Sequence, residues 1–194
     1  MEKIKKHIKL KQKRYKGYSF IEGVVATFIV TAGMLAVIQL MTASLTVLFN
    51  SRDQTMATFL AQEGVELVRN IRDNNWAAGV GTFDNLPSTS KKNCRIDVDA
   101  YNVLDAVCNS SIVKTLQKSA NNGIHHHGSG TDTEFKRVIW LEYDNPQKNK
   151  ASTVTVTSMV VWGGASLPTT EADCTSFKKC VFVRVILNKW GGTD

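Results

Sequence analysis

Hydrophobic and polar positions fall into three regimes along the chain. From Gly23 to Ser51, 29 consecutive residues include no Asp, Glu, Lys or Arg, and their most apolar part is VVATFIVTAGMLAVIQLM, Val24 to Met41. As helix this stretch is long enough to cross a bilayer core, which needs about 20 apolar residues. Next, RDQTMATFLAQEGVELVRNIRDNN places Met56, Phe59, Leu60, Leu67, Val68 and Ile71 at three- and four-residue spacings. Arg52, Asp53, Glu63, Glu66, Arg69, Arg72 and Asp73 occupy other positions. This is an amphipathic continuation of the same helix. A helix from Tyr18 to about Asn74 would be roughly 85 Å long at about 1.5 Å per residue, so half of it must pack on a head rather than in lipid.

After Trp76 the period changes to two. In STVTVTSMVVW, Val154, Val156, Val160 and Trp162 share one face, and Thr153, Thr155 and Thr157 the other. FKRVIWLEY (Phe135–Tyr143) and CVFVRVILNKW (Cys180–Trp190) read as strands too, the latter with Val181, Val183, Val185 and Leu187 aligned. DNPQKNKA between the first two has the Asn-Pro signature of a turn. The prediction is an α+β fold in which three antiparallel strands cover the apolar face of the long helix. Between Asn93 and Gly130 the pattern weakens: YNVLDAVCNSSIVKTLQKSAN can hold a short helix, and NNGIHHHGSGTD reads as loop.

Charge gives the apolar run an orientation. Residues 1–17 hold eight basic side chains against one acid, Glu2, a net +7; the other 177 hold 16 basic and 16 acidic side chains, a net of zero. The overall +7 and pI of 9.3 therefore reside in the leader, and the zero net charge of the body argues against a basic nucleic-acid surface on it. Lysines before the run hold that end in the cytosol and place everything after Ser51 outside. A cleaved secretory signal fits less well, because the run is long and SLTVLFNSRDQ lacks an A-x-A-like site.

One charge breaks the boundary between leader and run. KGYSFIEGVVATFIV puts Gly17 at the last polar position and Glu22 inside the apolar stretch, with the next basic residue thirty positions away at Arg52. A carboxylate at the edge of hydrocarbon needs a partner. Cutting the chain after Gly17 would create an α-ammonium on Tyr18 one helical turn from Glu22, or offer the same amine on a neighbouring subunit. Gly17, without a side chain, lets a protease approach the backbone.

At these residues the chain resembles the class III signal of type IV prepilins and pseudopilins: a basic leader, Gly, an aromatic, three mostly apolar residues and Glu. Gly17, Tyr18, Ser19, Phe20, Ile21 and Glu22 match position by position, with Tyr18 replacing the commoner Phe. The resemblance implies a pilin-like fold, cleavage between Gly17 and Tyr18 by a membrane-embedded prepilin peptidase, N-methylation of Tyr18, and a role for Glu22 in assembly. It covers about the first 50 residues. The family's frequent mid-helix proline is absent, Gln39 lying near its place. FLAQEGVELVRNIRDNNW is similar, less specifically, to PilV-like minor pilins. The implied organisation is a leader (1–17), a transmembrane and filament-core helix (18–51), its amphipathic continuation (52–75) and an extracytoplasmic head (76–194).

Cys94, Cys108, Cys174 and Cys180 all lie in the head, where an even number outside the cytosol favours disulfides. Of three pairings, Cys94–Cys108 and Cys174–Cys180 are favoured because each closes a local loop between element-like segments. Zinc is the alternative, with spacings poor for a finger. The Cys174–Cys180 loop is loosely similar to the disulfide region of many pilins. The triplet His125, His126 and His127 reads as a solvated loop, with a weak metal site as the sharper reading. Gly163–Gly164 reads as a turn rather than a phosphate cradle. Asn109-Ser110-Ser111 matches a glycosylation acceptor, a common chance pattern. There is no nucleophile motif or paired-carboxylate arrangement, so an enzyme is not expected and no cofactor is called for.

The sequence therefore points to a structural subunit, pilin or minor pilin, of a type IV pilus-like filament. The expected partners are prepilin peptidase, other pilin subunits, an inner-membrane assembly platform and, before assembly, membrane lipid. The protein is expected first in the cytoplasmic membrane with its N-terminus in the cytosol, then in an extracellular or periplasmic filament. The alternatives are a pseudopilin of type II secretion and a single-pass membrane protein with a surface-binding head. Nucleic acid enters only through a competence-type pilus binding DNA by its head.

Overall fold

The computed structural model describes residues 17, 19–99, 102–103, 107–108, 115–120, 124–127, 130–174 and 179–189. The chain divides into two compact units, Met1–Leu48 and Phe49–Asp194. One helix, α1 (Phe20–Ala77), supplies all the regular structure described in the first unit and begins the second. The fold is α+β, as expected.

In the first unit the Ser19 carbonyl accepts the Glu22 and Gly23 N–H groups and starts α1. Its residues from Phe20 to Leu48 are all exposed, and this helix is apolar enough to cross a membrane. Four threonine hydroxyls are turned back on the helix. Thr27 donates to the Gly23 and Val24 carbonyls, Thr31 to Phe28, Thr42 to Gln39 and Thr46 to Thr42. Spent in this way, they weigh little against burial in hydrocarbon.

The end of α1 is set by sequence that the periodicity had not flagged. Gly79 takes φ 68°, its N–H donates to the Trp76 carbonyl, and the Val80 N–H donates to that of Asn75. This is the Schellman closure, which needs a left-handed residue that glycine adopts without strain. Asn75 is buried and donates from Nδ2 to the Thr82 and Asp84 carbonyls, fixing the loop that follows.

In the second unit the buried stripe of α1 is Ala57, Leu60, Ala61, Gly64, Val65, Leu67, Val68, Ile71, Arg72 and Asn75. Two of the predicted face residues lie elsewhere: Phe59 is 62% exposed and Met56 37%. Arg72, predicted on the polar side, is buried and paired with Asp73. Small residues explain the difference, since Ala57, Ala61 and Gly64 let the helix backbone approach the sheet and rotate the contact face toward themselves.

That sheet has five strands rather than three, in the order Cys180–Asn188, Thr153–Val161, Lys136–Tyr143, Lys91–Arg95, Val107–Cys108. The predicted strands are β8 (Lys136–Tyr143), β9 (Thr153–Val161) and β10 (Cys180–Asn188), antiparallel throughout. The additions are β1 (Lys91–Arg95) and β4 (Val107–Cys108). Between Lys91 and Cys94, β1 carries one more residue than the facing part of β8, and Asn93 absorbs it at φ 58°. A bulge of this kind breaks the two-residue alternation by which a strand is recognised. No helix occurs among the described residues of 93–130. They form instead the ribbon β2 (Val98–Asp99) and β3 (Asn102–Val103), and a small sheet of β5 (Gln117–Lys118), β6 (His125–His126) and β7 (Thr131–Asp132).

Two faces of the main sheet bury side chains. On the helix side, Ile139, Leu141, Val154, Val156 and Leu187 join Val65, Val68 and Ile71, while Val160 joins Ala57, Leu60 and Ala61 with Leu116, Phe135 and Trp162. On the far side Val138, Trp140 and Met159 form a smaller cluster. The alternation in β9 puts Thr157 on the polar face, yet Thr157, Ser158, Met159 and Val161 are all buried because β9 is flanked on both sides and covered on both faces along its second half.

Candidate functional site

The predicted site residues fall into separate places. Gly17 is exposed, with open space where a Cβ would stand; Tyr18 lies outside the described residues. Glu22 is exposed in the first turn of α1, where the helix dipole favours a carboxylate. Around it stand Phe20, Ile21, Val24 and Val25, all exposed apolar side chains. Among the described residues Glu22 has no ion-pair partner. The arrangement is thus one charge at the polar end of an otherwise uncharged apolar surface, chemically suited to an ammonium group from outside the described residues.

Both cysteine pairs are disulfides, Cys94–Cys108 and Cys174–Cys180, and no cysteine is free, which removes the zinc alternative. Cys94 and Cys108 stand directly opposite each other on β1 and β4, with Cα atoms 4.0 Å apart. Cross-linking there fastens the short edge strand to the sheet. In the chain-entropy model a loop of this length contributes about 3 kcal/mol, and the shorter Cys174–Cys180 ring about 2.4.

The histidine triplet differs most from its loop reading. His125 and His126 lie in β6, paired with Lys118 and Gln117, and both histidines are half-buried. Burial pushes the His125 imidazole below its ordinary value, against a partial counter-effect from Glu63. The His127 side chain is buried, with Nδ1 2.6 Å from Asp97 Oδ1, and its backbone N–H donates to the same oxygen. Burial raises the Asp97 pKa, but the hydrogen bonds and charge of His127, with Arg137 behind them, outweigh it and hold the carboxyl below the usual range. The pair ties the small sheet to the segment after β1. Among the described residues no group of three or more His, Cys, Asp or Glu side chains is placed to hold a metal ion.

Arg137 was not singled out in the sequence. It is fully buried, donating to the Leu60 and Ile96 carbonyls at 3.2 Å each and lying 3.3 Å from Glu63. One guanidinium thus joins α1, β8 and the strand end after β1. Its signal was available in FKRVIWLEY, where Arg137, Ile139 and Leu141 share the inward face. Gly163 and Gly164 form the turn predicted, both at positive φ. Asn109-Ser110-Ser111 lies outside the described residues. Comparison with protein-family models, with curated proteins and with solved structures finds no match to this chain.

Proposed function

We propose that the chain is a structural subunit, pilin or minor pilin, of a type IV pilus-like filament. In this reading it is inserted in the cytoplasmic membrane by α1, cut after Gly17 by prepilin peptidase, methylated at Tyr18, and polymerised with other pilin subunits on an inner-membrane assembly platform. The observation that carries the reading is the first unit. An uncharged apolar helix, exposed on every side from Gly23 to Leu48, is preceded by a lone carboxylate, Glu22, and by Gly17 after a basic leader. Burial of that surface at about 25 cal/mol per Å² drives both membrane insertion and bundling. Glu22 adds the selective element: it finds its cation only when an α-ammonium is delivered beside it, so its pairing rewards assembly more than insertion.

The test has two parts. Mass spectrometry of protein from its native membrane should give Tyr18, methylated, as the N-terminus, and Gly17→Val should block processing. Glu22→Gln should leave insertion and cleavage nearly intact and reduce incorporation into sheared filaments. A chain still beginning at Met1, or wild-type incorporation of the Glu22 variant, would refute the reading. Copy number in purified fibres separates its versions: hundreds per fibre mark a major pilin and a few a minor one, while absence from surface fibres marks a pseudopilin or a plain membrane anchor.

A further inference from the structure

β9 and β10 pair over nine residues, yet a long connection joins them where a tight turn would suffice. After the Gly163–Gly164 turn this connection returns across the far side of the sheet. Leu167 packs on Val138, Trp140 and Met159, and Pro168 beside it is buried. Four residues on, the Glu171 carboxylate accepts the Thr157 hydroxyl at 3.1 Å and pairs with Arg184. Thr157 and Arg184 are register partners on adjacent strands, so Glu171 spans the β9–β10 seam at one point. Asp173 holds the turn itself, accepting from Thr169 and Thr170. The far end is covalent, because Cys174 is bonded to Cys180, the first residue of β10.

Exposure along the same sheet face shows where the strap lies. Met159 is 0% and Val138 1% exposed, whereas Phe182 and Ile186, on the same face of β10, are 38% and 62% exposed. Among the described residues the non-covalent hold includes the Leu167 contact, the buried Pro168 and the Glu171 carboxylate, whose Arg184 partner is half exposed and therefore adds little. The geometry points to a disulfide-latched strap: residues 163–174 close over an apolar patch on the far side of the sheet, and the Cys174–Cys180 bond decides whether they stay closed. A dithiol opens the latch by thiolate attack on one sulfur, displacing the other as thiolate. The second thiol resolves the mixed disulfide, so the bond gains two electrons and two protons while the dithiol becomes a disulfide. The head then seals in oxidising surroundings and presents Val138, Trp140 and Met159 in reducing ones. The strap lies wholly in the second unit and works in the same way whether or not the chain assembles into a filament.

Methionine oxidation tests it in the full chain in detergent micelles. Met159 under the strap and the exposed Met56 are followed by peptide mapping under dilute hydrogen peroxide, in wild-type protein and in Cys174→Ser/Cys180→Ser, which retains Cys94–Cys108. Removing a ring of this size should raise the open population up to about fifty-fold. Met159 should therefore oxidise about tenfold faster or more, at an unchanged Met56 rate, while β9–β10 amides keep their hydrogen-exchange protection. Glu171→Gln, with the bond intact, should give a smaller increase. Unchanged Met159 protection without the bond overturns the proposal. So does loss of β9–β10 amide protection together with Met159, since the bond would then hold the sheet rather than the strap.

Discussion

Gly64 is packed tightly against the sheet, and replacing it by alanine sets two opposing effects against each other. A Cβ there would lie within van der Waals overlap of Ser158 Oγ, 3.1 Å from Arg137 Cδ and 3.2 Å from Ser158 Cβ. Alanine gains about 1 kcal/mol of helix propensity over glycine. Overpacking a filled core costs about 1–3 kcal/mol, and the sheet behind Ser158 gives little, because β9 is paired on both sides. Gly64→Ala should therefore destabilise the head by about 1 kcal/mol net.

Ser158 makes the argument sharper. Its hydroxyl is buried and has no hydrogen-bond partner among the described residues, a state that costs about 1–3 kcal/mol relative to a satisfied group. Ser158→Ala should be neutral or stabilise by up to about 1 kcal/mol. In the double variant the worst overlap disappears, leaving contacts that relax by a few tenths of an ångström, so it should be at least as stable as wild type. Urea unfolding of the four proteins in detergent, read by tryptophan fluorescence, should give a coupling of about 1–2 kcal/mol. Additivity within about 0.5 kcal/mol, or stabilisation by Gly64→Ala alone, would refute the close-packing argument.

Two further outcomes follow from the buried polar groups. Arg137→Ala should cost about 3–5 kcal/mol, since it empties a core position and removes the donors to Leu60 and Ile96, whereas Arg137→Met, which keeps the volume, should cost clearly less; equal losses in urea unfolding would argue against a packing role. Asp97 has a folded pKa below its unfolded 3.8. Its contribution is therefore complete above that value and is lost as pH falls through the folded pKa. Acid titration of stability should flatten in Asp97→Asn, and an unchanged acid limb would show that the His127 tie contributes nothing.

The sequence by itself determined the long helix, its uncharged first half, the three main strands and the cysteine pairs. Each of these is written in local signals. A bilayer-length run without charge, a two-residue alternation such as Val181, Val183, Val185 and Leu187, and cysteines at the ends of short loops depend on neighbours along the chain. What depends on neighbours in space was decided only by the fold. Phe59 and Met56 gave way to Ala57, Ala61 and Gly64 because the contact face of a helix follows how closely its backbone can approach, not only which side chains are most apolar. β1 stayed hidden because Asn93 interrupts its alternation, and β4 and β6 because two-residue strands have no period of their own. His127 lost its solvation to Asp97, thirty residues away, and Arg137 found its acceptors 77 and 41 residues away. Burying most of a charged side chain such as Asp97 or Arg137 requires partners, and these meet only after the sheet and helix have packed.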